Sequence, residues 1–256
     1  MVGITDFSDK KVIDYIRPGK RYLIEFVHGW GDTQMFMPAL EKLRDLCPDS
    51  RIDIHLECGQ EAVFDSAGRN DDDYELRFCL HYPMSEGSRL TKTEKCCHDE
   101  LGITPPDRDV AVLPDMPSPL VACHFQGTAL PDSVNCPAEI AYQIWVEIKE
   151  AGKIPIECHF EHVFHNPVNE KYSFIDNSVR KYHADLKSLI GLIQRCFACI
   201  AVASGPFVTA LSIMPDRLLF IQKHHKLASY TKQPIEVLDV FNYREGQVRS
   251  WLESLS

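Results

Sequence analysis

The chain has 256 residues, 45% hydrophobic and 25% charged, a globular mix that excludes collagen-like and disordered classes and allows one large domain or two small ones. Lys+Arg total 27 against Asp+Glu 37, a formal charge of −10, which argues against bulk duplex nucleic acid as a partner unless a local basic groove exists. No signal-peptide pattern opens the sequence and no apolar run reaches the roughly 18 residues of a membrane helix, so a cytoplasmic protein without an integral membrane segment is expected.

A helix is predicted over residues 8–16, capped by Ser8 and stopped at Arg17-Pro18-Gly19. The β-type run Tyr22-Leu23-Ile24-Glu25-Phe26-Val27 follows and breaks at His28-Gly29-Trp30-Gly31-Asp32. A helix is predicted over residues 33–46 with Met37, Leu40, Leu43 and Leu46 on its inner face and Pro38 in its early turns. Cys47-Pro48-Asp49 stops it, and residues 51–56 alternate as a strand. Strand, glycine turn, helix, strand is a βαβ unit and implies a parallel sheet. A short helix over 60–67, a strand over 74–82 and a helix over 91–101 continue the first half.

Five prolines between residues 104 and 119 mark the expected linker. The alternation then restarts: a strand over 120–125, the turn Gln126-Gly127-Thr128, a helix over 138–151 capped near Asn135, and a strand over 155–160. A helix over 185–195, a buried strand over 196–203, a short helix over 207–213, a strand over 217–222 and a terminal helix over 242–255 complete the chain. The expected domains are residues 1–115, residues 120–240, and a C-terminal helix within 241–256 packing back on the first domain.

Ten cysteines are many, but the chain is far too long for a disulfide-stapled miniprotein. Cys123, Cys196 and Cys199 sit in apolar runs, where a free thiol packs as a small hydrophobe, so a reduced, intracellular protein is expected. Cys96-Cys97-His98, Cys123-His124 and Cys158-His159 invite a zinc reading. No two C-x-x-C motifs stand at zinc-ribbon spacing, however, and neighbours on a strand point to opposite faces. No metal site is expected. Lys223, His224, His225 and Lys226 form a local basic cluster, read as a solvated loop.

Three turns at strand ends can carry chemistry. The glycines of His28-Gly29-Trp30-Gly31-Asp32 let backbone approach a ligand, and Asp32 is either a helix N-cap or a catalytic carboxylate. The run lacks the third glycine of a dinucleotide fingerprint. At Ser204-Gly205-Pro206-Phe207-Val208-Thr209-Ala210, helix N–H groups and two hydroxyls could receive an anion, or the turn is an ordinary one. Gln126-Gly127-Thr128 could form a second wall.

In this order, the pieces resemble glycosyltransferases of the heptosyltransferase type (glycosyltransferase family 9). The N-terminal match is Leu23 to Val27, Gly31-Asp32, Met37-Pro38-Ala39-Leu40, Cys47-Pro48-Asp49 and Ile52-Asp53-Ile54. The C-terminal match is Asp185-Leu186 to Ile193, Ile200 to Pro206 and Thr209-Ala210. The chain departs from the family's D-[ST]-G-P-x-H-x-A pattern at Ala203 and Val208, and its N-terminal half is short.

The resemblance implies an α/β, GT-B-like fold of two Rossmann-like domains facing across a cleft, in a compact, divergent member of a kind that also occurs in phages. It implies sugar transfer from a nucleotide-sugar donor to a hydroxyl acceptor, with Asp32 as general base and His28, Gly29, Trp30 and Gly31 on the acceptor side. Gly127, Thr128, Glu161, Ser204, Gly205, Pro206, Thr209 and Lys223 would hold the donor, with no metal or other cofactor. The acceptor would be a saccharide or, in a phage protein, a modified DNA base, which the net charge disfavours. Two alternatives stand beside this: a non-catalytic nucleotide or sugar binder, supported by Ala203 and Val208, and another nucleotide-sugar enzyme of the same fold, such as an epimerase.

Overall fold

A computed structural model describes residues 2–56, 64–68, 73–82, 90–106, 118–127, 134–160, 172–183, 186–224 and 227–255. The chain divides into two compact units, Met1–Asp107 with Ala228–Lys232, and Arg108–Leu227 with Gln233–Ser256. The proline-rich linker and the unit boundary fall mostly outside the described residues.

The first unit holds four parallel strands in the order β1-β4-β2-β3: β1 (Val2–Ile4), β2 (Arg21–Glu25), β3 (Arg51–His55) and β4 (Leu76–Cys79). Ile24 of β2 lies opposite Ile54 on one side and Phe78 on the other. Tyr22, Leu23, Ile24 and Glu25 are all buried. A parallel strand covered on both faces has to be almost continuously apolar, and this run is. β1 was not foreseen, because three residues are too few to show a period. The short helix α1 (Val12–Tyr15) is capped at Lys11, whose N–H donates to the Asp14 carboxylate, and Ser8 plays no part in it.

Helix α2 (Trp30–Leu46) starts earlier than expected, with Gly29 at the N-cap. Asp32 is therefore the third helical residue and not the cap. Pro38 falls in the helix interior, where it cannot donate to the Gln34 carbonyl. The inward stripe is Phe36, Ala39, Leu40 and Leu43, while Leu46 is 53% exposed. Of the helix expected over residues 60–67, residues 60–63 lie outside the described residues and 64–67 are not helical. Ser66 and Ala67 instead hydrogen-bond to the backbone of Leu56 and Ile54.

Helix α3 (Lys92–Cys96) opens on a reciprocal cap: Thr91 Oγ1 accepts from the Glu94 N–H, and Glu94 accepts from the Thr91 N–H. It widens into a π turn at Cys97–Leu101 and ends at Gly102, φ +74°. A Cβ at Gly102 would stand 2.6 Å from Lys11 Cβ. Gly102→Ala combines that clash with a left-handed φ and should destabilise the protein by about 1–3 kcal/mol, read as a lowered denaturation midpoint. An unchanged midpoint would show that the turn can rearrange.

The second unit is a six-stranded parallel sheet in the order β10-β9-β8-β5-β6-β7. Its strands are β5 (Leu120–His124), β6 (Ile154–Phe160), β7 (Arg180–His183), β8 (Ala198–Val202), β9 (Leu218–Gln222) and β10 (Glu236–Asp239). Counted from β5, that is the 3-2-1-4-5-6 order of a Rossmann sheet. Helices α4 (Ala138–Glu150), α5 (Leu186–Ile193), α6 (Gly205–Ile213) and α7 (Gln247–Ser254) complete it. β7 and β10 were not foreseen. Asn135 does not cap α4; its Oδ1 accepts from the Gly127 N–H.

The terminal helix was expected on the first domain, but its anchor is α4. Glu147, 2% exposed, accepts from the N–H groups of Gly246, Val248 and Arg249 at 2.8, 2.8 and 3.0 Å, and from the Tyr243 hydroxyl. A side chain from another helix thus caps α7. Nine of the ten cysteines are described, all as free thiols. Burial holds Cys123 and Cys199 well above the ordinary thiol range and pushes Cys97 to about 12, as expected of packing residues.

Candidate functional site

In each unit, successive crossovers leave the sheet in opposite directions at one strand pair, and ligands of open α/β folds bind at the carboxyl end of that pair. In the first unit the pair is β2 and β4. The chain leaving β2 carries Phe26 and His28, and the chain leaving β4 carries Tyr82. Tyr82 lies 5.0 Å from Phe26 and 5.4 Å from His28, and His28 packs 4.6 Å from Phe26, between ring centroids. Burial holds the His28 imidazole below the usual histidine range, although Asp32 pulls the other way.

Gly29 caps α2, and Trp30 and Gly31 form its first turn. That turn presents Asp32 at the positive end of the helix dipole, where a carboxylate is favoured. Asp32 Oδ1 pairs with Lys92 Nζ at 3.1 Å; the side chains are 21% and 8% exposed. Among the described residues Asp32 Oδ2 has no hydrogen-bond partner. Lys92 Nζ also lies 6.0 Å from the Tyr82 ring and 5.5 Å from the Tyr230 ring. Tyr230 is buried, and burial together with Asp32 raises its phenol well above the ordinary value.

Tyr82 has φ +45°, the one described non-glycine residue with positive φ. Such a conformation persists only where the surroundings over-determine it. Buried Glu100, in the π turn, accepts from the N–H groups of His81 and Tyr82 at 2.7 and 3.1 Å. The Tyr82 hydroxyl lies 2.8 Å from Thr93 Oγ1, next to Lys92. Backbone strain and a π turn both concentrate at functional sites.

In the second unit the pair is β5 and β8. Gly127, just past β5, leaves no room for a side chain: a Cβ would stand 2.7 Å from Val134 Cγ1 and 3.4 Å from the Ala203 carbonyl oxygen. Gly127 and the turn that begins at Ala203 are therefore neighbours. Their polar groups are largely engaged. The Gly127 N–H donates to Asn135, and the Ser204 hydroxyl donates to the Val202 carbonyl at 2.9 Å. Thr209 is fully buried and donates to the Gly205 carbonyl at 3.0 Å, where its hydroxyl supports the helix turn. Pro206 is the second residue of α6 and has no N–H. Val208 is buried. Lys223 follows β9, one strand further out. Thr128 and Glu161 lie outside the described residues.

Sequence reasoning missed Lys92, Tyr82, Glu100 and Tyr230. A faint signal existed for Lys92, a cation in the first turn of a helix that a Thr91-x-x-Glu94 cap announces.

No family model matches the chain, and no curated protein matches it. Solved structures do. The iron-containing dodecameric glycosyltransferase TibC of enterotoxigenic E. coli H10407 is 12% identical with TM-score 0.61, over 92% of this chain and 68% of its own. The E. coli heptosyltransferase WaaC with ADP is 12% identical with TM-score 0.58, over 92% and 100%. A glycosyl transferase family 9 structure from Veillonella parvula DSM 2008 is 14% identical with TM-score 0.53, over 94% and 98%. The likeness is one of fold: the chain has the two-unit parallel α/β architecture of these heptosyltransferase structures, as the sequence resemblance implied. The expectation that no metal is involved is overturned as a property of this fold, because TibC is iron-containing. Among the described residues no three His, Cys, Asp or Glu side chains could together hold a metal ion, so they do not fit such a site and no catalytic step is assigned to iron. No described helix is long and apolar enough to cross a membrane.

Proposed function

We propose that the protein is a glycosyltransferase that moves a sugar from a nucleotide-sugar donor to a hydroxyl acceptor, with Asp32 as general base. The observation that carries this reading is the Asp32 carboxylate, at the carboxyl end of the β2–β4 pair, with one oxygen held by Lys92 and the other without a hydrogen-bond partner among the described residues. Oδ2 takes the acceptor's hydroxyl proton. The freed oxygen bonds to the anomeric carbon, whose bond to the leaving diphosphate breaks with the electron pair going to the phosphate oxygen. His28, Gly29, Trp30 and Gly31 line the acceptor side.

The donor diphosphate is assigned to the β5–β8 pair, at Gly127, Thr128, Ser204, Gly205 and Pro206, with Glu161 toward the ribose and Lys223 as a cation. Because both hydroxyls there bond to main chain, the α6 dipole is the main attraction for the diphosphate. ADP in WaaC and ADP-D-β-D-heptose in TibC make an ADP-sugar the first donor to test.

The test is a panel of ADP-, UDP-, GDP- and CMP-sugars, read by thermal shift and by release of free nucleotide. A true donor at a hundred times its Kd stabilises by about 2.7 kcal/mol and also releases nucleotide. A second reading, a nucleotide or sugar binder without turnover, is favoured by Ala203 and Val208 at positions where the related pattern has Asp and His; stabilisation without release would select it. No stabilisation by any donor would sink both.

A further inference from the structure

Lys92 occupies an expensive place. It is the first residue of α3, at the positive end of that helix, and its side chain is 8% exposed. A cation is disfavoured at a helix N-terminus, and a buried ammonium is costly unless paired. A buried ion pair is often replaced as a whole by well-packed apolar residues without loss of stability, so packing alone does not call for this one. What compensates Lys92 is the Asp32 carboxylate at 3.1 Å and two aromatic faces, Tyr82 at 6.0 Å and Tyr230 at 5.5 Å. Each of those partners is itself fixed. Tyr82 is held in its left-handed conformation by Glu100 and by Thr93, whose hydroxyl lies within reach of the Met35 carbonyl of α2 at 3.3 Å. Tyr230 lies in a five-residue segment that joins the first unit and is secured by the Lys232–Glu94 ion pair at 2.6 Å.

We infer that Lys92 is a positioning residue for Asp32. It ties Oδ1 and turns Oδ2 toward the acceptor hydroxyl, while Tyr82 and Tyr230 hold the ammonium in place. The inference rests on the reading of Asp32 as general base. The charged and titratable groups facing Asp32 are Lys92 from α3, His28 from the loop after β2 and Tyr230 from the 228–232 segment; Glu100 acts on His28 from the π turn.

The experiment is a carbon-detected NMR comparison, at one neutral pH, of aspartate side-chain carboxyls in the full chain, wild type against Lys92→Met and Lys92→Arg, with Asp32→Asn identifying the resonance. It needs no substrate. In Lys92→Met the Asp32 carboxyl signal should move away from its wild-type position, because the ammonium that ties Oδ1 is gone, and Lys92→Arg should restore it. ADP release from ADP-D-β-D-heptose is followed in parallel. Lys92→Met should lower kcat about 10–100-fold with little change in donor KM. Lys92→Arg should recover most of kcat. An Asp32 carboxyl signal at the same position in all three proteins would overturn the inference, whatever happens to turnover. Wild-type turnover by Asp32→Asn with the NMR shift intact would instead remove the general-base reading and leave only the ion pair.

Discussion

Asp32→Asn is expected to lower kcat for sugar transfer by about 10²–10⁴-fold, the usual contribution of a positioned general base. The amide is almost the same size as the carboxylate and can still accept one hydrogen bond from Lys92. The α2 turn and the ion-pair pocket should therefore keep their shape, and the affinity for the donor nucleotide should stay within a few-fold of wild type. What the amide cannot do is take a proton. The loss should thus appear in kcat, with donor KM little changed, as for an interaction made only in the transition state. Steady-state kinetics with calorimetric donor binding checks this. A parallel loss of binding would make Asp32 a structural residue, and unchanged kcat would move the proton acceptor elsewhere. His28 would then be the first alternative, since burial already favours its neutral form.

Glu147→Ala is expected to cost the second unit about 2–4 kcal/mol, as when a buried carboxylate that accepts several hydrogen bonds is removed and its donors lose their acceptor. The carboxylate satisfies three N–H groups at the start of α7 and the Tyr243 hydroxyl. Without it, Val248 N–H remains buried with no acceptor, at a cost of about 1–3 kcal/mol by itself. For a protein of this size the loss corresponds to a fall in Tm of the order of 10 °C. Glu147→Gln should lie between, because its carbonyl oxygen can still accept but its amide nitrogen meets N–H groups that also donate. Differential scanning calorimetry of the three proteins decides it. A loss below about 1 kcal/mol in Glu147→Ala would mean that water replaces the carboxylate.

The architecture was legible where burial writes itself into local composition. β2 and β8 are covered on both faces, so Tyr-Leu-Ile-Glu and Ala-Cys-Ile-Ala-Val stand out without any knowledge of their neighbours. Edge strands did not stand out in the same way. β1 and β10 have three and four residues and are specified by their pairing partners more than by their own pattern. Asp32 was legible because a glycine turn between strand and helix is a local signal. Its partner was not, since Lys92 is 60 residues away and no spacing rule links them. The Glu147 cap has the same origin: its acceptors and donors are about a hundred residues apart. The start of α2 was misjudged because Gly31-Asp32 looks like a cap, while Gly29 already supplies the extended backbone that a cap requires.

The five residues 228–232 that belong to the first unit also set an order of assembly. On the ribosome, residues 1–107 emerge first and can form the four-stranded sheet. Tyr230 emerges only after the intervening stretch of the second unit has been made, a delay on the order of ten seconds at ordinary translation rates. Through that interval Lys92 lacks one of its two aromatic faces, and the region around Asp32 is present but unfinished. The nascent protein thus acquires Asp32 and Lys92 before Tyr230, and a fragment ending at residue 107 would be left at that stage.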